Sequence, residues 1–162
     1  MRLKKICYAA LLTAGSLITF LIEAQLPALT PIPGIKPGLS NIFTLFALCR
    51  LGRSWAFAVL FCRIFLGCLV TGQLSALPYS LSGGLLSLLL CCLLKKLFPA
   101  DRLWVLSVFS AMTHNIGQIL CAVVLTQTPA LFFYLPLLLI SAIISGAFTG
   151  IAAQSVLQRL SA

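Results

Sequence analysis

Acidic residues are nearly missing from this chain: of 162 positions only Glu23 and Asp101 carry a carboxylate. Two isolated acids cannot furnish a paired-carboxylate catalyst, an oxygen cage for a divalent cation or an Asp-rich metal motif. Histidine is as scarce, with His114 alone. The cysteines Cys7, Cys49, Cys62, Cys68, Cys91, Cys92 and Cys121 show no Cys-x-x-Cys spacing, so neither zinc nor an iron-sulfur cluster is expected. They fall inside or at the ends of apolar runs and read as free thiols that fill space. A Gly-x-x-x-x-Gly-Lys phosphate loop is also missing, so any ATP must be hydrolysed by another protein. No metal and no cofactor are expected, and the chain reads as a non-enzyme.

Charge of either sign is sparse at 8%, whereas hydrophobic residues make up 61%. Soluble domains run at about 25% charged and about 45–50% apolar, so too little polar surface exists here to coat a water-soluble sphere. With a mean hydropathy of +1.14, the solvent this sequence suits is lipid. Eleven Lys and Arg against two acids give a net charge of +9. In a membrane protein such cations mark loops on the cytoplasmic side, which displaces a nucleic-acid reading.

Apolar runs at residues 6–26, 39–51, 55–71, 81–97, 103–125 and 131–156 predict an all-α integral membrane protein, with six transmembrane helices in one compact bundle and a single membrane domain over residues 1–162. Their continuity excludes a β-barrel. The first run is long, and Ile22-Glu23-Ala24 is a poor cleavage site, so it reads as a retained span rather than a signal peptide. Residues 27–38, PALTPIPGIKPG, hold four prolines and two glycines and form a loop at a membrane face. The second run reaches only about 20 Å at 1.5 Å per residue. It therefore needs help from that loop, or shielding by protein. Six spans place Arg2, Lys4, Lys5, Arg50, Arg53, Lys95, Lys96, Arg102 and Arg159 on one side against Lys36 on the other. Both termini are accordingly expected in the cytoplasm.

Ionisable groups inside a membrane are expensive and usually paired or functional. Arg63 falls near the middle of the third run, and His114 at similar depth in the fifth. Ser107, Ser110, His114, Gln118 and Cys121 form a polar stripe at helical spacing, with Asn115 and Gly117 beside it. Glu23 is the only carboxylate within a span and lies about 10 Å above Arg63 by helical rise, so a direct ion pair requires tilt. An anionic ligand would supply the missing counter-charge. Candidate binding residues are Arg63, His114, Asn115 and Gln118, with Lys36 at the mouth and Asn41 and Glu23 completing the set. Interhelical hydrogen bonding is the competing reading of the stripe, and a proton relay through His114 is a third. Small residues mark close packing: Ser141, Ser145 and Thr149 with Gly146 and Gly150, and Ser82-Gly83-Gly84 with Ser87. Ala10 and Ala14 repeat the spacing on the first helix.

Five segments in order closely resemble a bacterial membrane family: GIKPGLSNI (34–42), RIFLGCLVTG (63–72), SLSGGLLSLL (80–89), HNIGQIL (114–120) and YLPLLLISAIISGAFTG (134–150). That family goes by two names, the Gx transporter family and heptaprenyl diphosphate synthase component I. The resemblance covers roughly residues 6–156, with Pro37 and Ala142 as departures. The family is similar in size and topology to S components of energy-coupling-factor transporters, which have six helices, an outward pocket capped by the first loop, and an Ala-xxx-Ala docking face. That likeness implies a small-solute binding and translocation component of the bacterial inner membrane. Its pocket would lie between the first loop and helices three, five and six. Ala10 and Ala14 would dock a transmembrane coupling subunit served by separate ATPases. The other name implies a noncatalytic membrane subunit of prenyl diphosphate or quinone metabolism with a lipid-like substrate. With Asp101 as its only aspartate, the chain cannot perform Asp-rich prenyl transfer alone. A closed polar pocket around Arg63 would favour the first reading, an apolar groove open to lipid the second, and a scaffold would show neither.

Overall fold

The apolar runs fold as six helices, α1 (Arg2–Gln25), α2 (Asn41–Arg50), α3 (Arg53–Thr71), α4 (Leu77–Leu94), α5 (Leu103–Thr126) and α6 (Leu135–Ser161). This is a computed structural model, and it describes residues 2–25, 38–98 and 102–161. The loop expected at residues 27–38, with Lys36, lies outside the described residues except for Gly38, and Asp101 lies outside them too. No strand occurs among the described residues.

Five helices are long and apolar enough to cross a membrane, while α2 is not. Its ten residues reach about 15 Å. Shortness is tolerated because α2 touches all five other helices and is shielded by them. Asn41, Thr44, Leu45, Ala47 and Leu48 are buried on its inner face. The chain reverses between α2 and α3 through Gly52, whose φ of 98° is a left-handed conformation that only glycine adopts without strain.

Two boundaries differ from the sequence reading. The fourth run, read as starting at residue 81, starts earlier as a helix: a 3₁₀ turn, Leu74–Ala76, runs directly into α4 at Leu77. Pro78 sits in the first turn of α4, where its missing N–H costs nothing. Likewise residues 131–134 are not yet α-helical: Pro129–Tyr134 forms a 3₁₀ turn before α6, which then runs on to Ser161.

Neighbouring helices pack in the order α1, α3, α4, α5, α6, with α2 inside, and α1 and α6 do not touch. Leu48, Leu60, Leu88 and Leu106 fill the interior. The outside is more apolar than a water-facing surface can be, with Leu93 73%, Phe133 87% and Phe148 75% exposed. That inversion fits lipid contact.

The structure also gathers Lys4, Lys5, Arg50, Arg53 and Lys95 at one end. Lys95 Nζ donates to the Leu48 carbonyl at 2.8 Å. Arg53 Nη2 reaches the Cys92 carbonyl at 3.5 Å, which joins the end of α4 to the start of α3. Trp104 N donates to Gln154 Oε1 at 3.4 Å, fixing the start of α5 beside the end of α6.

Candidate functional site

Arg63 stands in the middle of α3 and is 2% exposed; Glu23 near the end of α1 is 3% exposed. Ser40, just ahead of α2, joins them. Its backbone N–H donates to Glu23 Oε2 at 3.2 Å, and its hydroxyl accepts from Arg63 Nη1. Leu39 N donates to Glu23 Oε1 at 2.6 Å, and Arg63 Nη2 donates to Asn41 Oδ1 at 3.1 Å. From α1, Ser16 Oγ reaches the Ser40 carbonyl at 3.1 Å. The carboxylate thus caps the start of α2 by accepting two backbone N–H groups, a charge-assisted arrangement at a helix N-terminus. The guanidinium holds the same segment from α3.

His114 completes the group from α5, in a slot shaped by two glycines. A Cβ on Gly38 would stand 2.9 Å from its Cδ2, and one on Gly83 would stand 3.0 Å from its Nδ1 and 2.6 Å from its carbonyl oxygen. Gly38 also has φ 81°, so a side chain there would be strained twice over. The imidazole is fixed by backbone on both sides.

Glu23, Ser40, Arg63, His114 and Gln118, with Gly38, Phe20, Ile64 and Ser80, surround one enclosed cavity of about 10 Å³. That is the volume of roughly a single water molecule between the described residues. Four polar atoms at the group, Arg63 Nε, Asn41 Nδ2, His114 Nδ1 and Thr44 Oγ1, are buried without a hydrogen-bond partner among the described residues. Buried guanidinium and amide donors left so are costly, and they give this cluster capacity for further acceptors.

Other members of the predicted stripe do different work. Asn115 turns away toward α6, donating from Nδ2 to the Leu138 carbonyl at 2.8 Å. Ser110 meets Ser87 of α4 at 2.6 Å, and Ser107 meets Thr149 of α6 at 3.3 Å. These are interhelical ties. The cavity is lined from α1, α3, α4, α5 and the segment before α2, so α6 does not contribute to it as the sequence suggested. Sequence reasoning missed Ser40, the hub of the cluster, because its role depends on a backbone path that spacing does not encode. Ala10 and Ala14 are both exposed on α1.

A second feature lies on the lipid side. Leu39, Leu137, Ile140, Ser141, Ile144, Ser145 and Phe148 line an almost wholly apolar groove of about 510 Å³ along α6. Leu39 connects the two features: its side chain faces the groove while its backbone N–H binds Glu23.

Polar chemistry here is limited to holding and orienting. Among the described residues no group of three or more His, Cys, Asp or Glu could hold a metal. All seven cysteines are free. Comparison with known proteins finds no curated protein and no solved structure that matches the chain. The heptaprenyl diphosphate synthase component I family does match it, over residues 12–156, and the chain belongs to that family.

Proposed function

We propose that this protein is a noncatalytic membrane component of prenyl diphosphate metabolism, which holds a prenyl chain from the bilayer and presents it to a separate catalytic component. Family membership sets the class, and the groove along α6 is the observation that carries the reading. A flexible polyisoprenoid needs an apolar channel continuous with lipid and no polar partner along its length. The groove offers that, with a volume within the usual range for ligand sites of about 300–1,000 Å³. Catalysis belongs elsewhere. Glu23 is buried and bound to two backbone N–H groups, so it cannot hold magnesium for a diphosphate. On the charge asymmetry, the cation-rich end faces the cytoplasm of a bacterial inner membrane, where a soluble partner would work.

Native mass spectrometry of the detergent-purified protein, with identification of whatever it releases, tests this reading. A prenyl or quinone lipid is the expected ligand. In Ile144→Trp, where an indole fills the groove, retention should fall about tenfold, roughly the worth of one well-buried apolar contact. Release of a small water-soluble anion instead would overturn the assignment.

The Arg63 cluster supports a second reading, a small-solute binding and translocation component resembling an S component. Its Arg63 Nε and Asn41 Nδ2, which have no partner among the described residues, are the observation in its favour. In that case movement of the segment before α2 would open the cavity to an anion. Arg63→Ala would abolish solute binding and Arg63→Lys would restore it only in part, because a point charge does not replace a planar fork. Full binding in the alanine variant would end this reading. Large substitutions at Ala10 and Ala14 would break co-purification with a coupling subunit while sparing solute binding.

A further inference from the structure

At the cation-rich end, the start of α1 and the end of α2 enclose a pocket of about 430 Å³. Its rim carries Lys4, Lys5 and Arg50, and its walls include Tyr8, Leu11 and Phe46. No hydrogen bond or ion pair engages the three cations among the described residues, unlike Arg53 and Lys95 nearby, which are tied to helix ends. The pocket therefore combines three cations at the membrane boundary with an open apolar wall, on which Tyr8 is 56% and Leu11 70% exposed beside the partly buried Phe46.

We infer that this pocket binds a single-chain amphiphile with a diphosphate head, the head on Lys4, Lys5 and Arg50 and the first part of the chain against Tyr8, Leu11 and Phe46. The choice of head follows from charge. A diphosphate monoester carries two to three negative charges, which three uncommitted cations balance, whereas the phosphodiester of a common phospholipid carries one. Arg50 adds a planar donor fork suited to phosphate oxygens, and the two lysines add point charges. Ordinary positive-inside placement explains cations at this end but not an apolar cleft of this volume between them. The inference takes its ligand class from the reading above and adds a headgroup site distinct from the α6 groove.

The test titrates the full-length protein in micelles with farnesyl diphosphate and reads occupancy by native mass spectrometry. Lys4→Gln combined with Arg50→Gln should weaken binding about thirtyfold, two cation-to-headgroup contacts at their usual strength multiplied together. Lys96→Gln combined with Arg102→Gln removes the same charge at exposed sites of the same end and should change it less than about twofold. Farnesol, lacking the head, and inorganic pyrophosphate, lacking the chain, should each bind about tenfold or more weakly. Equal losses in the two double variants would overturn the inference. So would pyrophosphate binding as tightly as farnesyl diphosphate, or displacement by dioleoylphosphatidylglycerol at equal concentration. If Ile144→Trp abolishes farnesyl diphosphate binding and the Lys4 and Arg50 pair does not matter, the headgroup site falls and the groove stands. The opposite pattern is the expected one, since the two sites share no residue, and the groove is then judged by the lipid that Ile144→Trp fails to retain. Absence of any binding sinks both.

Discussion

Arg63→Ala is expected to destabilise the folded protein by about 3–5 kcal/mol, the usual cost of breaking a buried, hydrogen-bonded charge cluster by removing one member. The reason lies in what remains. Without the guanidinium, the buried Glu23 carboxylate loses the positive field that balances it, and Ser40 and Asn41 lose their donors. Because Glu23 and Arg63 hold the same segment from opposite sides, the damage should appear first as loosening of the start of α2. Unfolding in a graded denaturing detergent, followed by loss of helical signal, measures the total. Hydrogen exchange at Leu39 and Ser40 locates it. Glu23→Gln should loosen the same two amides, and the double variant should cost clearly less than the sum of the single ones, as expected for groups in one network. A loss below about 1 kcal/mol for Arg63→Ala would show that the cluster behaves like a solvated surface pair.

Much of this was legible in the sequence, and the limits follow from what periodicity encodes. Run length and hydropathy located the helices, including the deficit in α2, because a hydrocarbon slab imposes a length. The positions of Arg50, Arg53, Lys95 and Arg102 predicted the shared end that the hydrogen bonds of Arg53 and Lys95 display. Equal depth brought Arg63 and His114 to one cavity. Rotation about each helix axis was harder to read. Asn115 is adjacent to His114 in sequence, yet a turn of about 100° per residue aims it at Leu138 instead. Ser40 was invisible as a hub, since its amide, hydroxyl and carbonyl reach three different groups only once the preceding chain has bent through Gly38. Of the small residues named in α6, Gly146 and Gly150 lie in the row that meets α5 and Thr149 reaches Ser107, whereas Ser141 and Ser145 line the groove.

The α6 row that meets α5, Leu138, Ala142, Gly146, Gly150 and Ala153, is buried, and it supports the other large expected effect. Gly146→Leu combined with Gly150→Leu should separate α5 from α6 and leave little folded protein. A Cβ at Gly146 would stand 2.8 Å from the Val108 Cα, and one at Gly150 would stand 2.6 Å from the Trp104 Cα and 2.7 Å from the Ser107 Cβ. These obstacles are mainly backbone, which cannot swing aside as a side chain does. Overpacking typically costs about 1–3 kcal/mol per site even where side chains can adjust, so two rigid clashes on one interface should exceed that sum. The loss would spread, because Ser107 would part from Thr149 and Asn115 from the Leu138 carbonyl, leaving polar groups unpaired in lipid. Ser141→Leu combined with Ser145→Leu provides the comparison, since both residues face the groove instead of α5. It should retain the fold and lose only groove volume. Membrane yield and detergent-resistance midpoint measure the difference, and equal behaviour of the two double variants would mean that α6 does not meet α5 through its glycine row.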